Sequence, residues 1–198
     1  AGNTDATTAI NGVTTVLNSY GMSASEASKI TDQMLITQNL GKTTFGELAQ
    51  SIGSVTPIAK QLNVTTEELF ASLASLTKNG IQTPEAITGL RAALNSVIKP
   101  SAEASKVAQQ LGIDFSAAHL QSVGWAKFME EVKEKTGGNV EVMGQLFSNT
   151  RALTTMLSLT GAGAEDFTKS LAAMSDQAGI TERVFMDIAE NDPVRAMK

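Results

Sequence analysis

Few residues in this chain carry reactive groups, and their types and spacing decide what chemistry they could do. His119 is the one histidine and cysteine is absent, so a histidine-based metal cluster within a single chain is excluded. No carboxylate stands at helical metal-ligand spacing from His119, and no Gly-x-Ser-x-Gly elbow accompanies it to serve a serine nucleophile. His119 therefore reads as a turn or surface residue within "GIDFSAAHLQSVG", not as a proton carrier. The acid pairs Glu67–Glu68 and Glu130–Glu131 could suggest acid–base work. Neighbours on a helix point in different directions, however, so these read as solvated faces and first-turn charges favoured by the helix dipole. "GAGAED", from Gly161, lacks the preceding strand and the following GKT or GKS of a phosphate loop and reads as a hinge between helices. Met143, Met156 and Met174 fall on apolar stripes, where methionine fills a core. No residue is assigned a catalytic, cofactor-binding or metal-binding role, and the chain is read as a non-enzyme.

Composition narrows what must hold these residues in place. The 198 residues suffice for one ordinary domain or two small ones. Hydrophobic residues make up 42% while aromatics are only 5%, so small and aliphatic side chains with eight methionines must form the interior through close helix packing. Net charge is −5 and the basic residues are scattered singly, which leaves no stripe to track a phosphate backbone and argues against direct, sequence-specific nucleic-acid binding. No apolar run reaches bilayer length, and "AGNTDATTAI" lacks the basic start of a secretion signal. A start at Ala1 and an end in "NDPVRAMK" suggest a piece of something longer.

Helical periodicity runs through nearly the whole chain, without convincing strand alternation. Ile10, Val13, Leu17 and Tyr20 place a stripe on a first helix that Gly21 ends. Capping-box pairs follow at Ser23–Glu26, Thr44–Glu47 and Thr65–Glu68. Ile30 and Met34 mark the helix after the first pair. Phe45, Leu48, Ile52, Val55, Ala59 and Leu62 form the cleanest stripe, with Pro57 predicting a kink or break near Thr56. Leu69, Phe70, Leu73 and Leu76 supply the buried face of the next helix, which Asn79 and Gly80 stop. Thr83 is expected to cap a helix with Pro84 at its first position and a stripe from Ile87 through Leu90, Leu94, Val97 and Ile98 to Pro100. Val107, Ala108 and Leu111 precede Gly112, and Trp125, Phe128, Met129 and Val132 begin a helix ending at Gly137–Gly138. Met143, Leu146, Phe147, Leu153, Met156 and Leu157 fit one long helix or two bent ones, depending on Ser148 and Asn149. Phe167, Leu171 and Met174, then Val184, Phe185 and Ile188 after Thr181, complete the pattern. The predicted fold is all-α, a multi-helix array or bundle of about 8–11 short amphipathic helices with no significant sheet. A soft boundary at Gly137 divides a helical core region, 1–136, from a helical continuation, 137–198, that could pack in the same domain.

The order of these pieces resembles a known family. "GKTTFGELAQSIGSVTPIAKQLNVTTEELFASLASLTKNGIQTPEAITGLRAALNSVIKPSAEASKVAQQLGIDF" is similar to the core region of tape measure proteins of long-tailed bacteriophages. Thr44, Glu47, Leu48, Leu62, Val64, Glu67, Glu68, Leu69, Gly80, Ile81, Pro100, Leu111, Gly112 and Ile113 stand where that pattern wants them. "GNVEVMGQLFSNTRALTTMLSLTG" is similar to its downstream half, while Thr83-Pro84 departs from the small residues more usual there. The resemblance implies a virion structural role, assembled in the host cytoplasm, in a protein whose length sets that of the tail tube. It implies tail tube subunits, tail assembly chaperones, tail-tip proteins and further copies of the chain as partners, and no cofactor. The repeated helix stops suggest a jointed or compact helical unit within that ruler and not a straight rod. A helical adaptor for protein–protein binding, or part of a cell-wall-degrading tail enzyme with two carboxylates facing one cleft, are the alternatives.

Overall fold

The computed structural model describes residues 5–176, and among them it contains helices and no strand. The helices are α1 (Ala6–Tyr20), α2 (Ala27–Leu40), α3 (Phe45–Ser51), α4 (Thr56–Gln61), α5 (Thr66–Lys78) and α6 (Thr83–Ile98). There follow α7 (Ala102–Leu111), α8 (Ala117–Val123), α9 (Trp125–Thr136), α10 (Val140–Leu146), α11 (Thr150–Thr160) and α12 (Ala164–Asp176). Short 3-10 turns at Ala24–Glu26 and Ile52–Ser54 lead into α2 and α4. The all-α class is as the periodicity predicts. The stretch after Thr181, with Val184, Phe185 and Ile188, lies outside the described residues.

Local chemistry explains most boundaries. Thr44 accepts from the Glu47 N–H at 3.2 Å while the Glu47 carboxylate accepts from the Thr44 N–H at 2.9 Å. Thr65 and Glu68 repeat the exchange at 3.1 and 3.0 Å. These reciprocal bonds satisfy N–H groups that a helix start leaves without intrahelical partners. The expected break at Pro57 is present: α3 stops at Ser51, a 3-10 turn intervenes, and Pro57 sits in the first turn of α4. There its missing N–H costs nothing. Asn149 settles the question of one helix or two, because its Oδ1 accepts from the N–H groups of Arg151 and Ala152 and starts α11.

Several expectations need correction. Ile10 is 63% exposed; the inner face of α1 is centred instead on Gly12 and Val16, because a glycine there lets α3 come close. Ile98 likewise faces out, at 37% exposure, while Val97 is buried. The α6 helix starts at Thr83 itself, one residue earlier than expected, with Gln82 as N-cap. The Thr83 hydroxyl pairs instead with Thr43 at 2.7 Å. The segment read as a turn around His119 contains α8, capped by the Ser116 hydroxyl.

The core is organised around α5. Every residue from Leu69 to Thr77 is buried, so the expected single stripe is too narrow: α2, α6, α11 and α12 all pack on this helix. Its hydroxyls are satisfied inside the core, Ser72 donating to the Glu68 carbonyl and Thr77 to that of Leu73, while Ser75 donates to Gly163 at the start of α12. Small residues set the close crossings. A Cβ on Gly12 would lie 2.5 Å from that of Ala49. One on Gly89 would collide with the Thr155 hydroxyl, which is how α11 lies tight along α6. Beyond α6, Phe115 meets Phe147 edge-on at 5.2 Å and Phe128 of α9 at 5.7 Å, joining α9 to the residues flanking α8 and α10, while Trp125 stacks on Phe128 within α9 at 6.2 Å.

Candidate functional site

The residues with chemical potential fall into separate places in the fold. Glu68 is only 8% exposed, not part of a solvated face. Its Oε2 completes the cap of α5, and its Oε1 accepts from the Ala126 N–H of α9 at 2.9 Å. One carboxylate thus terminates two helices, at the positive end of both dipoles. Beside it the Trp125 indole N–H donates to Ser72 at 3.1 Å, so the α5–α9 contact is a polar seam within an apolar core. The second contact of Glu68 crosses 58 residues, and its only sequence signal was the cap.

Glu67 points the other way and pairs with Lys29 at 2.8 Å. Burial pushes its carboxyl up, but the Lys29 hydrogen bond and charge outweigh it and hold the group below the ordinary carboxylate range. Tyr20, also packed against the core, donates to the Val64 carbonyl at 3.0 Å. Burial, reinforced by the negative charges of Glu68 and Glu67, raises its phenol well above the ordinary value of 10.0.

His119 sits on α8, half-buried, with Nε2 2.6 Å from Glu131 on α9 and Nδ1 4.0 Å from Asp114. The sequence placed no carboxylate beside it; folding brings Glu131 there across twelve residues. Its ring lies 6.4 Å from that of Phe128, so the imidazole–carboxylate pair closes one edge of the aromatic cluster. Glu130, next to Glu131, turns outward and pairs with Lys127 at 2.8 Å. No group of three or more His, Cys, Asp or Glu among the described residues is disposed to hold a metal ion. Met143, Met156 and Met174 are all buried, as their stripes predict. "GAGAED" forms the turn from α11 into α12, secured by Ser75 on Gly163 and by Lys78 on Asp166 at 2.6 Å.

Among the hollows on the surface of the described residues, two border α11. One, of about 480 Å³, lies between α9, α11 and α12 over an apolar floor that includes Met129, Leu159, Phe167 and Leu171, with Lys127 and Lys133 at its rim. The other, between α6 and the start of α11, is polar. The first hollow is also lined by Glu130, which pairs with Lys127, and no carboxylate lines the second. No helix among the described residues is long and apolar enough to cross a membrane.

Comparison with known proteins agrees with a structural reading. The chain is 31% identical over 93% of its length to a probable tape measure protein of Clostridium phage phiCD119, of which it covers 20%. It is 25% identical over 88% of its length to the tape measure protein of Pneumococcus phage Dp-1, covering 16% of that chain. The chain thus spans a fifth or less of the length of these relatives. No solved structure matches it. The family profile described as phage-related minor tail protein matches residues 1–148, three-quarters of the chain. On that match the chain belongs to the phage-related minor tail protein family.

Proposed function

We propose that this chain is a structural and assembly segment of a phage tail tape measure protein, one that helps set tail length and organises assembly of the tail tube. The similarity along nearly its whole length to two tape measure proteins carries the reading. That both relatives are described as tape measure proteins supports a non-enzymatic role. Tail tube subunits, tail assembly chaperones, tail-tip proteins and further copies of the chain are its partners, and its place is the phage tail, built in the host cytoplasm.

The fold refines what such a segment contributes. A continuous helix of this length would extend about 300 Å at ~1.5 Å per residue, whereas the longest helix among the described residues has 16 residues. The helices past Gly137 pack back on the first half, α11 on α6 and α12 on α5, so we read residues 5–176 as one cooperative unit. In this reading the segment is a folded organising module within a length-setting protein. An in-frame deletion of it in the phage gene, followed by electron microscopy of the particles, tests this. The expected result is loss of assembled tails. Normal yields of tails shortened in proportion to the deleted residues would show a passive measuring rod instead, and unchanged tails would remove the tail role altogether.

A further inference from the structure

The hollow between α6 and the start of α11 is lined by polar and cationic side chains and a single alanine. Its volume is about 490 Å³, and every charge that lines it is positive: Arg91, Lys99 and Arg151. Arg91 and Arg151 are both of the arginines among the described residues. Widely separated in sequence, they are brought to one hollow in a chain of net charge −5. None of these three cations has a carboxylate partner among the described residues, whereas Lys29, Lys78, Lys127 and Lys169 each hold one. The hollow receives both the start of α11 and the last turn of α6, whose dipole ends are opposite in sign, so its positive character comes from the three side chains. Guanidinium groups that line one hollow from two elements are suited to oxygen anions, which they can grip through paired N–H groups.

Shape selects among anions. Along α6, Thr88, Ala92 and Ser96 recur every fourth residue as a low ridge, and Arg91, Asn95 and Lys99 recur beside it as a donor ridge. Ridges of this spacing accept the ridges of another helix. No aromatic side chain lines the hollow, so it lacks the stacking platform by which single-stranded nucleic acids are held. The groove from Thr88 to Lys99 runs about 16 Å at ~1.5 Å per residue, far longer than a single phosphate needs.

We propose that the α6–α11 hollow is a docking seat for an acidic helix of a partner protein, whose carboxylates are held by Arg91, Arg151 and Lys99. The identification of that partner as a tail protein rests on the function proposed above; the charge and shape preference of the seat does not. The test is therefore made on the isolated 198-residue chain. Its amide NMR spectrum is followed during titration with a synthetic Glu/Ala-rich helical peptide, the same peptide with Gln in place of Glu, a single-stranded DNA oligonucleotide, and inorganic phosphate. The expected result is movement of amides in 88–99 and 149–152 with the Glu peptide and not with the Gln peptide. R91E/R151E should weaken binding at least about tenfold, R91Q/R151Q should weaken it less, and Lys127→Glu, outside the hollow, should leave it unchanged. Both arginines are exposed, so the folded state of each variant is expected to survive; if charge reversal unfolds the chain, the glutamine pair carries the comparison. Unmoved amides, or wild-type affinity in a folded R91E/R151E, would overturn the proposal. Tighter binding of DNA through the same amides would reassign the seat to nucleic acid, and phosphate acting at the peptide's own concentration would reduce it to a free-ion site. None of these outcomes bears on whether the gene is needed for tails, which the deletion decides separately.

Discussion

Glu68 shows how one side chain can hold more than its own helix. Losing an ordinary cap costs about 0.5–2 kcal/mol, and Glu47→Ala on the exposed start of α3 should fall in that range. Glu68→Ala should cost more, about 2–4 kcal/mol, because it also strips the acceptor from a partly buried N–H at the start of α9. Urea denaturation of the two variants checks this; equal losses would mean the α9 bond contributes nothing. Tyr20 makes a second prediction, for alkaline pH. Its phenol is raised in the folded state, so its contribution is fully present below the unfolded value and is lost as pH rises through the folded one. Stability should therefore begin to fall above the ordinary phenol value of 10.0. In Tyr20→Phe this alkaline fall should flatten, at a cost near neutral pH of about 1 kcal/mol for the lost bond to Val64.

At the scale of elements, the separate helices are held by how closely they cross. Helix propensity favours Ala over Gly by about 0.8–1.0 kcal/mol, so Gly89→Ala should stabilise α6 if nothing lay opposite. The Thr155 hydroxyl and the Arg151 carbonyl do lie opposite, and overpacking of this kind costs about 1–3 kcal/mol. Gly89→Ala is therefore expected to lower the melting temperature. Combining it with Thr155→Ala should recover part of the loss, in a double-mutant cycle with measurable coupling. Additive effects would show that α6 and α11 are not in contact as described. The caps at Thr44 and Thr65 and the break at Pro57 were legible in sequence because each is decided within a few residues. The wrong placement of Ile10 and the missed α8 have separate causes. Which side of a helix is inside depends on where glycine admits a neighbour, and a short helix carries too little periodic signal to separate it from a turn.

For the whole molecule, α5 is covered on all sides by helices drawn from both halves of the sequence. A chain ended at residue 136 would uncover the faces of α5 and α6 that α12 and α11 bury. It is expected to lose cooperative unfolding, read as a broad denaturant transition with a reduced m-value; a sharp transition would make 1–136 an independent unit. The polar surfaces belong to this scale as well. The sequence scatters its cations singly and so shows no basic patch, yet folding gathers Arg91, Lys99 and Arg151 from two helices into one hollow.

The sequence by itself determined the helical class, most helix starts and stops, the burial of Met143, Met156 and Met174 and the family resemblance. Each of these follows from local hydrogen-bond chemistry or from periodicity within one element. Only the tertiary structure decided that Glu68 spans two helix starts, that His119 meets Glu131, that α5 is buried all round and that three lone cations share a hollow. Those facts depend on distances between residues far apart along the chain. Such distances are set by packing small residues such as Gly12, Gly89 and Gly163 against other helices, a property of pairs of surfaces that no single helix encodes.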